Sequence, residues 1–132
     1  MSESKASPRP IRVVLVDDDA ENRRLVRALL EGWNLDVVGE AADGMAGVEL
    51  AGKLVPDVVL MDVRMPIMDG IEATKIITGA LPRTRVVLLT THDDRFLRRR
   101  AEEHGASAYL LKEGSAILIR DAILRARRSE AE

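Results

Sequence analysis

Apolar and polar positions along this chain alternate between two rhythms. Five short runs are dense in Val, Leu and Ile: Ile11–Val16, Leu35–Gly39, Asp57–Met61, Arg85–Leu89 and Ser107–Leu111. Within them Val13–Val16, Val58–Met61 and Val86–Leu89 are almost unbroken apolar stretches, as expected of strands covered on both faces. Between the runs lie five amphipathic segments with recognisable ends. Ala20–Glu31 carries Leu25, Val26, Leu29 and Leu30 on one stripe and stops at Gly32. Gly44–Leu54 follows a capping Asp43 and precedes Pro56, and Gly70–Thr78 follows a capping Asp69 and stops at Gly79. Asp94–His104 ends at Gly105. Ala116–Arg128, capped by Ser115, draws its apolar side from Ile117, Leu118, Ala122, Ile123 and Ala126. Strand–helix alternation with short connections and right-handed crossovers predicts a single α/β domain, (βα)5, with a parallel sheet between two layers of helices.

In such a sheet, ligands collect beyond the carboxyl ends of the strands. The first strand ends in Asp17-Asp18-Asp19, the third in Asp62, the fourth in Thr90-Thr91 and the fifth in Lys112. Taken singly, each has an ordinary explanation: Asp19 as a helix cap, a threonine as a turn residue, a lysine as solvated surface. Together at one edge, three carboxylates repel one another unless a cation neutralises them. A hard divalent ion held by carboxylates suits Mg2+ (or Mn2+), which retains waters and favours phosphate. A carboxylate is also a competent nucleophile toward phosphorus, and a metal, an ammonium and a hydroxyl donor compensate the charge of a transferring phosphoryl group.

Composition narrows the options. Of 132 residues, 46% are hydrophobic, 32% charged and only 2% aromatic, so an aliphatic core is available. There is no cysteine, which removes thiol chemistry and cysteine-based zinc sites. A net charge of −2 argues against nucleic-acid binding by bulk electrostatics. The Arg98-Arg99-Arg100 run is offset by Glu102 and Glu103, which favours a solvated or protein-contacting face. No apolar run approaches membrane-spanning length, and residues 1–10 lack the apolar stretch of a signal peptide. These absences predict a cytoplasmic protein with a disordered lead-in over 1–10, a domain over 11–128 and a polar tail over 129–132.

Four motifs carry a family resemblance: Leu15-Val16-Asp17-Asp18-Asp19, the segment from Leu60 through Asp62 to Gly70, Leu88-Leu89-Thr90, and Tyr109-Leu110-Leu111-Lys112. In this order and spacing the chain resembles the receiver domain of two-component response regulators. Met65–Thr74 and Tyr109–Lys112 resemble its LuxR/NarL-type subgroup. The resemblance implies a flavodoxin-like strand order, 2-1-3-4-5. It also implies Asp62 as phosphoacceptor, Asp18 as a direct Mg2+ ligand, Asp17 acting mainly through water, and the Arg64 carbonyl as a further ligand. Thr90 and Lys112 would contact the phosphoryl oxygens. The implied donor is a sensor histidine kinase or a small phosphodonor, with self-catalysed phosphotransfer and autodephosphorylation but no separate enzymatic activity. Thr90 and an inward rotation of Tyr109 would switch the face formed by the fourth helix, fifth strand and fifth helix, supporting a phosphorylation-dependent homodimer. The subgroup carries a DNA-binding domain after the receiver, so transcription regulation is expected through a segment outside this chain, with no direct nucleic-acid or membrane contact by this domain; the alternative is a stand-alone single-domain regulator. Glu113 follows Lys112 where many receivers have proline. A Mg2+-dependent phosphohydrolase of the haloacid-dehalogenase kind would want Asp-x-Asp-Gly-Thr where this chain has Asp17-Asp18-Asp19-Ala20. A degenerate, phosphate-independent interaction module would be expected to lack the acceptor or the lysine.

Overall fold

A computed structural model of the protein describes residues 9–114 and 116–131. Its elements are β1 (Arg12–Val16), α1 (Ala20–Gly32), β2 (Asp36–Ala41), α2 (Gly44–Leu54), β3 (Val58–Asp62), α3 (Gly70–Ala80), β4 (Arg85–Thr90), α4 (Arg95–Glu103), β5 (Ala108–Leu111) and α5 (Ala116–Ala131). The four strand pairings are all parallel and the order is β2-β1-β3-β4-β5. The predicted flavodoxin-like arrangement is therefore the one formed.

Successive strand side chains point to opposite faces of a sheet, and the central strands use both. Val14, Val16, Val59, Met61, Val86 and Leu88 join Ile71, Ile77 and Ala101 in one core. Val13, Leu15, Val58, Leu60, Val87 and Leu89 join Leu30, Ile119 and Ile123 in the other. Burial on both sides explains why these runs contain no alternation. It also fixes the strand register, and with it the height at which Asp17, Asp62, Thr90 and Lys112 emerge.

Four of the five helices open on an aspartate whose carboxylate accepts backbone N–H groups: Asp19 from Glu21, Asp43 from Ala46, Asp69 from Glu72 and Asp94 from Phe96. The expected cap at Ser115 lies outside the described residues. Two helix faces differ from the sequence reading. In α1, Leu30 is buried and Val26 partly so, but Leu25 and Leu29 are 62% and 41% exposed. The inward stripe is thus Val26–Leu30 at spacing four, and residues one position earlier are turned about 100° away. In α5 the inward stripe is Ile119, Ile123 and Ala126, whereas Ile117 and Leu118 are exposed. Hydrophobic residues in adjacent pairs left two stripes open, and the sheet selected one. Helix α3 also runs through Gly79 to Ala80, and α5 extends to Ala131, into the stretch expected as a tail.

The base of the sheet holds a feature that the sequence did not mark. Asp57, buried just before β3, accepts the Arg12 amide at 2.8 Å and both terminal nitrogens of Arg9 at 3.1 and 3.2 Å, with Arg127 of α5 at 3.8 Å. Arg9, placed by sequence in the lead-in, is thereby tied to the domain.

Candidate functional site

Strand ends β1, β3, β4 and β5 share one edge, so the polar residues that terminate them converge. Asp18, Asp19, Asp62, Arg64, Thr90, Thr91 and Lys112 line a cleft of about 300 Å³ there. Carboxylate oxygens from Asp17, Asp18 and Asp62 lie within 4.8 Å of one another. Lys112 Nζ is 2.7 Å from Asp62 Oδ2 and 3.5 Å from Asp17 Oδ2. The structure therefore brings together Asp17, Asp18, Asp62, Arg64, Thr90 and Lys112, all singled out from sequence.

Each has a distinct environment. Asp17 is buried, yet its carboxyl is held below its usual range. Burial works against ionisation, but the Asp19 amide at 2.9 Å, the Asn22 side-chain amide and Lys112 outweigh it. Asp62 moves the other way. Burial, reinforced by the neighbouring Asp17 charge, pushes it up to about 7 despite the Lys112 ammonium. For Lys112 burial favours the neutral amine, but the Asp62 and Asp17 carboxylates prevail and raise its pKa. Asp18 is exposed at the rim. One ammonium thus faces several carboxylates, an arrangement that leaves negative charge uncompensated in a site of oxygen donors. A hard divalent cation such as Mg2+ fits that donor set.

Backbone links hold the strand ends in place. The Lys112 amide donates to the Thr90 carbonyl at 2.7 Å, and the Val63 amide to the Leu89 carbonyl at 2.9 Å. The Thr90 hydroxyl donates to the His92 carbonyl at 3.2 Å and receives the His92 amide at 3.3 Å, so it is engaged by the β4–α4 loop. Tyr109, expected to rotate inward, is already buried, with its hydroxyl unpaired and the Arg98 guanidinium carbon 4.9 Å from its ring centroid. The first arginine of the basic run therefore covers an aromatic ring. The Lys112–Glu113 bond is not cis, as no cis peptide occurs among the described residues.

Asn22 and Arg23 were missed from sequence. Asn22 Nδ2 donates to Asp17 Oδ2, and Arg23 donates to the Asp17 carbonyl at 2.6 Å while its Nε meets Glu40 at 3.1 Å. Both lie on the first turn of α1, where their spacing from Asp17 has no motif; only the β1–α1 turn brings them back.

Comparison with known proteins agrees with the fold. The response regulator receiver domain family matches residues 13–124. The transcriptional regulatory protein LiaR of Bacillus subtilis is 46% identical over 121 residues, covering 91% of this chain and 57% of LiaR. LnrK, a transcriptional regulatory protein of the same organism, is 44% identical over 115 residues, covering 86% and 52%. The chain spans about half the length of these curated relatives. Among solved structures, the signal receiver domain of the putative response regulator NarL from Mycobacterium tuberculosis superposes with a TM-score of 0.84 at 40% identity, over 92% of this chain and 98% of that one. The family match over residues 13–124 and the superposition on a solved receiver domain agree with the 2-1-3-4-5 sheet: the chain belongs to the response regulator receiver domain family, with relatives of the LuxR/NarL type.

Proposed function

We propose that this domain is a phosphorylation-activated switch that accepts a phosphoryl group on Asp62. The observation that carries the reading is the placement of Asp62: buried at the end of β3, 2.7 Å from Lys112 and within 4.8 Å of Asp17 and Asp18. The Asp62 oxygen not held by Lys112 attacks phosphorus. An O–P bond forms, and the P–N bond to a histidine of a sensor kinase, or the P–O bond to a small acyl phosphate, breaks with its electron pair leaving on the donor. Asp17, Asp18, Asp62 and the Arg64 carbonyl would hold Mg2+ (or Mn2+), which when bound neutralises the carboxylates and the incoming phosphoryl oxygens. Lys112 follows the transferred group, trading part of its contact with Asp62 for a phosphoryl oxygen. The Thr90 hydroxyl gives up the His92 carbonyl for another. The only turnover is this self-modification and its reversal by water.

A phosphoryl group adds nearly two negative charges and three acceptor oxygens. Turning Thr90 toward it loosens the His92 loop that precedes α4. Tyr109 and Arg98 are placed to pass that change to the α4–β5–α5 face and to a homodimer formed there. The names of the relatives, transcriptional regulatory proteins, support a role in transcription regulation. By this reading the domain works in the cytoplasm through a DNA-binding segment outside this chain and itself contacts no nucleic acid. Among the described residues no helix is long and apolar enough to cross a membrane.

The test is incubation with Mg2+ and acetyl phosphate, read by intact mass and size-exclusion chromatography. Wild type gains one phosphoryl group and shifts toward a dimer. Asp62→Asn gains none, and modification of that variant would overturn the assignment.

A further inference from the structure

The loop between β3 and α3 carries the Arg64 carbonyl, and its ends are fixed. The Val63 amide donates to Leu89, the Gly70 amide donates to the Val63 carbonyl at 2.7 Å, and a Cβ at Gly70 would fall 2.1 Å from the Asp62 carbonyl oxygen. Asp69 is held as the cap of α3, so residues 64–68 are the part able to move. Their middle is strained: the Met68 amide donates to the Pro66 carbonyl at 2.7 Å, closing a three-residue turn whose central residue, Ile67, has φ +71°. Such a turn with a left-handed centre is rare, and a β-branched residue is the least suited to occupy it. Ile67 is also 77% exposed, so its side chain does not explain the conformation through burial. Strain of this kind persists where the surroundings over-determine it.

The surroundings that do so come from another element. Gly44, the first residue of α2, lies against the Met68 backbone: a Cβ there would stand 2.1 Å from the Met68 oxygen and 2.9 Å from its carbonyl carbon. No atom beyond Cα fits. We propose that Gly44 is a positioning residue for the cation pocket, its bare backbone letting α2 seat the strained 66–68 turn so that the Arg64 carbonyl is aimed at the carboxylates. The inference rests on the metal-dependent reading above and adds to it a residue outside the pocket and outside the strand-end motifs. A methyl at Gly44 must push Met68 away by about 0.9 Å to bring the approach out to 3.0 Å. Because Val63 and Gly70 are fixed, the displacement is taken up between them, where Arg64 lies. Mg2+ demands near-ideal octahedral geometry with short bonds, so its site tolerates a shift of that size poorly.

The experiment is an Mg2+ titration of wild type, Gly44→Ala, Ile67→Gly and the double variant, followed by amide NMR shifts of residues 63–70, with thermal unfolding of the same metal-free samples. Gly52→Ala is the control, since an added Cβ there meets nothing within 4 Å. Gly44→Ala is expected to weaken Mg2+ binding roughly 10–100-fold, the range typical of residues that orient ligands, and to lower the unfolding temperature. In the double variant, the backbone at position 67, freed of its side chain, adopts the left-handed and neighbouring conformations without penalty, so the turn retreats from the methyl. Thermal stability then recovers while Mg2+ affinity stays weak. If Gly44→Ala is too unstable to purify, comparison of the double variant with Ile67→Gly decides alone. Wild-type affinity in Gly44→Ala, or affinity recovering in step with stability, overturns the proposal while leaving the receiver reading intact. Absence of saturable Mg2+ binding by wild type overturns both.

Discussion

Removing the acceptor carboxylate should make the metal-free protein more stable. Asp62 is buried beside Asp17, with oxygens within 4.8 Å. At an effective dielectric constant near 20, two unit charges at that separation repel by about 3–4 kcal/mol. The rise from 3.8 to about 7 corresponds to about 4 kcal/mol of preference for the neutral acid, with burial the largest contribution. In the folded state Asp62 therefore holds its proton up to higher pH than in the unfolded chain. Between about pH 4 and pH 7 the folded state binds more protons, so stability falls as pH rises through that window and is level above it. Asp62→Asn removes the charge, though Lys112 then faces a neutral amide where it had a counter-charge at 2.7 Å and keeps the Asp17 carboxylate at 3.5 Å. The net gain at pH 8 in chelator is about 2 kcal/mol, or roughly 6–10 °C in unfolding temperature for a domain this size. Mg2+ at a hundredfold excess over its dissociation constant returns about 2.7 kcal/mol to wild type and less to the variant, which lacks one ligand. Circular-dichroism melts from pH 5 to 8, with chelator and with Mg2+, measure all of this. If metal-free Asp62→Asn melts no higher than wild type at pH 8, the crowding argument is wrong.

Three further outcomes follow from other parts of the molecule. Asp57→Ala leaves the Arg12 amide without its acceptor and removes the carboxylate that Arg9 and Arg127 face, so a loss of about 2–4 kcal/mol is expected in urea titrations. Burial opposes ionisation of Asp57, but Arg9, the Arg12 amide and Arg127 hold its carboxyl below the usual range. Its stabilisation is thus present above about pH 4 and lost as pH falls through the lower folded value, so wild-type and variant stabilities should converge in acid. Thr91 lines the cleft beside Thr90, and Thr91→Ala should shorten the lifetime of the acyl phosphate several-fold by opening a path for water, as followed by mass spectrometry after donor removal. Tyr109→Ala should uncouple phosphorylation from dimerisation; undiminished dimerisation of the phosphorylated variant on a sizing column would refute a switching role.

Legibility from sequence tracked the number of independent constraints on a residue. β1, β3 and β4 were readable because burial on both faces demands unbroken apolar runs, and the register of those runs placed Asp17, Asp62 and Thr90 at one edge without further information. Helix starts were readable because Asp19, Asp43, Asp69 and Asp94 each use a local bond. The inward faces of α1 and α5 were not. Leu25-Val26 and Leu29-Leu30 offer two stripes of equal hydrophobicity, and only contact with the sheet distinguishes them. Asn22, Arg23 and Gly44 were invisible for a related reason: each acts through a tertiary approach, to Asp17 or to Met68, that no periodicity encodes.

The two aspartates that bracket β3 place a fully paired carboxylate and an incompletely paired one on the same scaffold. Asp57 and Asp62 stand at opposite ends of a fully buried strand and are almost equally hidden from solvent. Their carboxyls nevertheless shift in opposite directions. Asp57 has a backbone amide, a two-pronged guanidinium and a second arginine, all part of the fold itself. Asp62 has one ammonium, shared with Asp17, and accepts no backbone amide among the described hydrogen bonds. Deeper packing around Asp62 and its smaller number of permanent donors together distinguish them. A carboxylate fully satisfied by its own chain has no use for a cation and little nucleophilicity. One left half-compensated is costly to the fold, and under the proposed function that same shortfall would draw in a divalent ion and leave an oxygen able to attack. The instability predicted for the metal-free acceptor site and its chemical competence have a single origin, so changes that relieve the first should diminish the second.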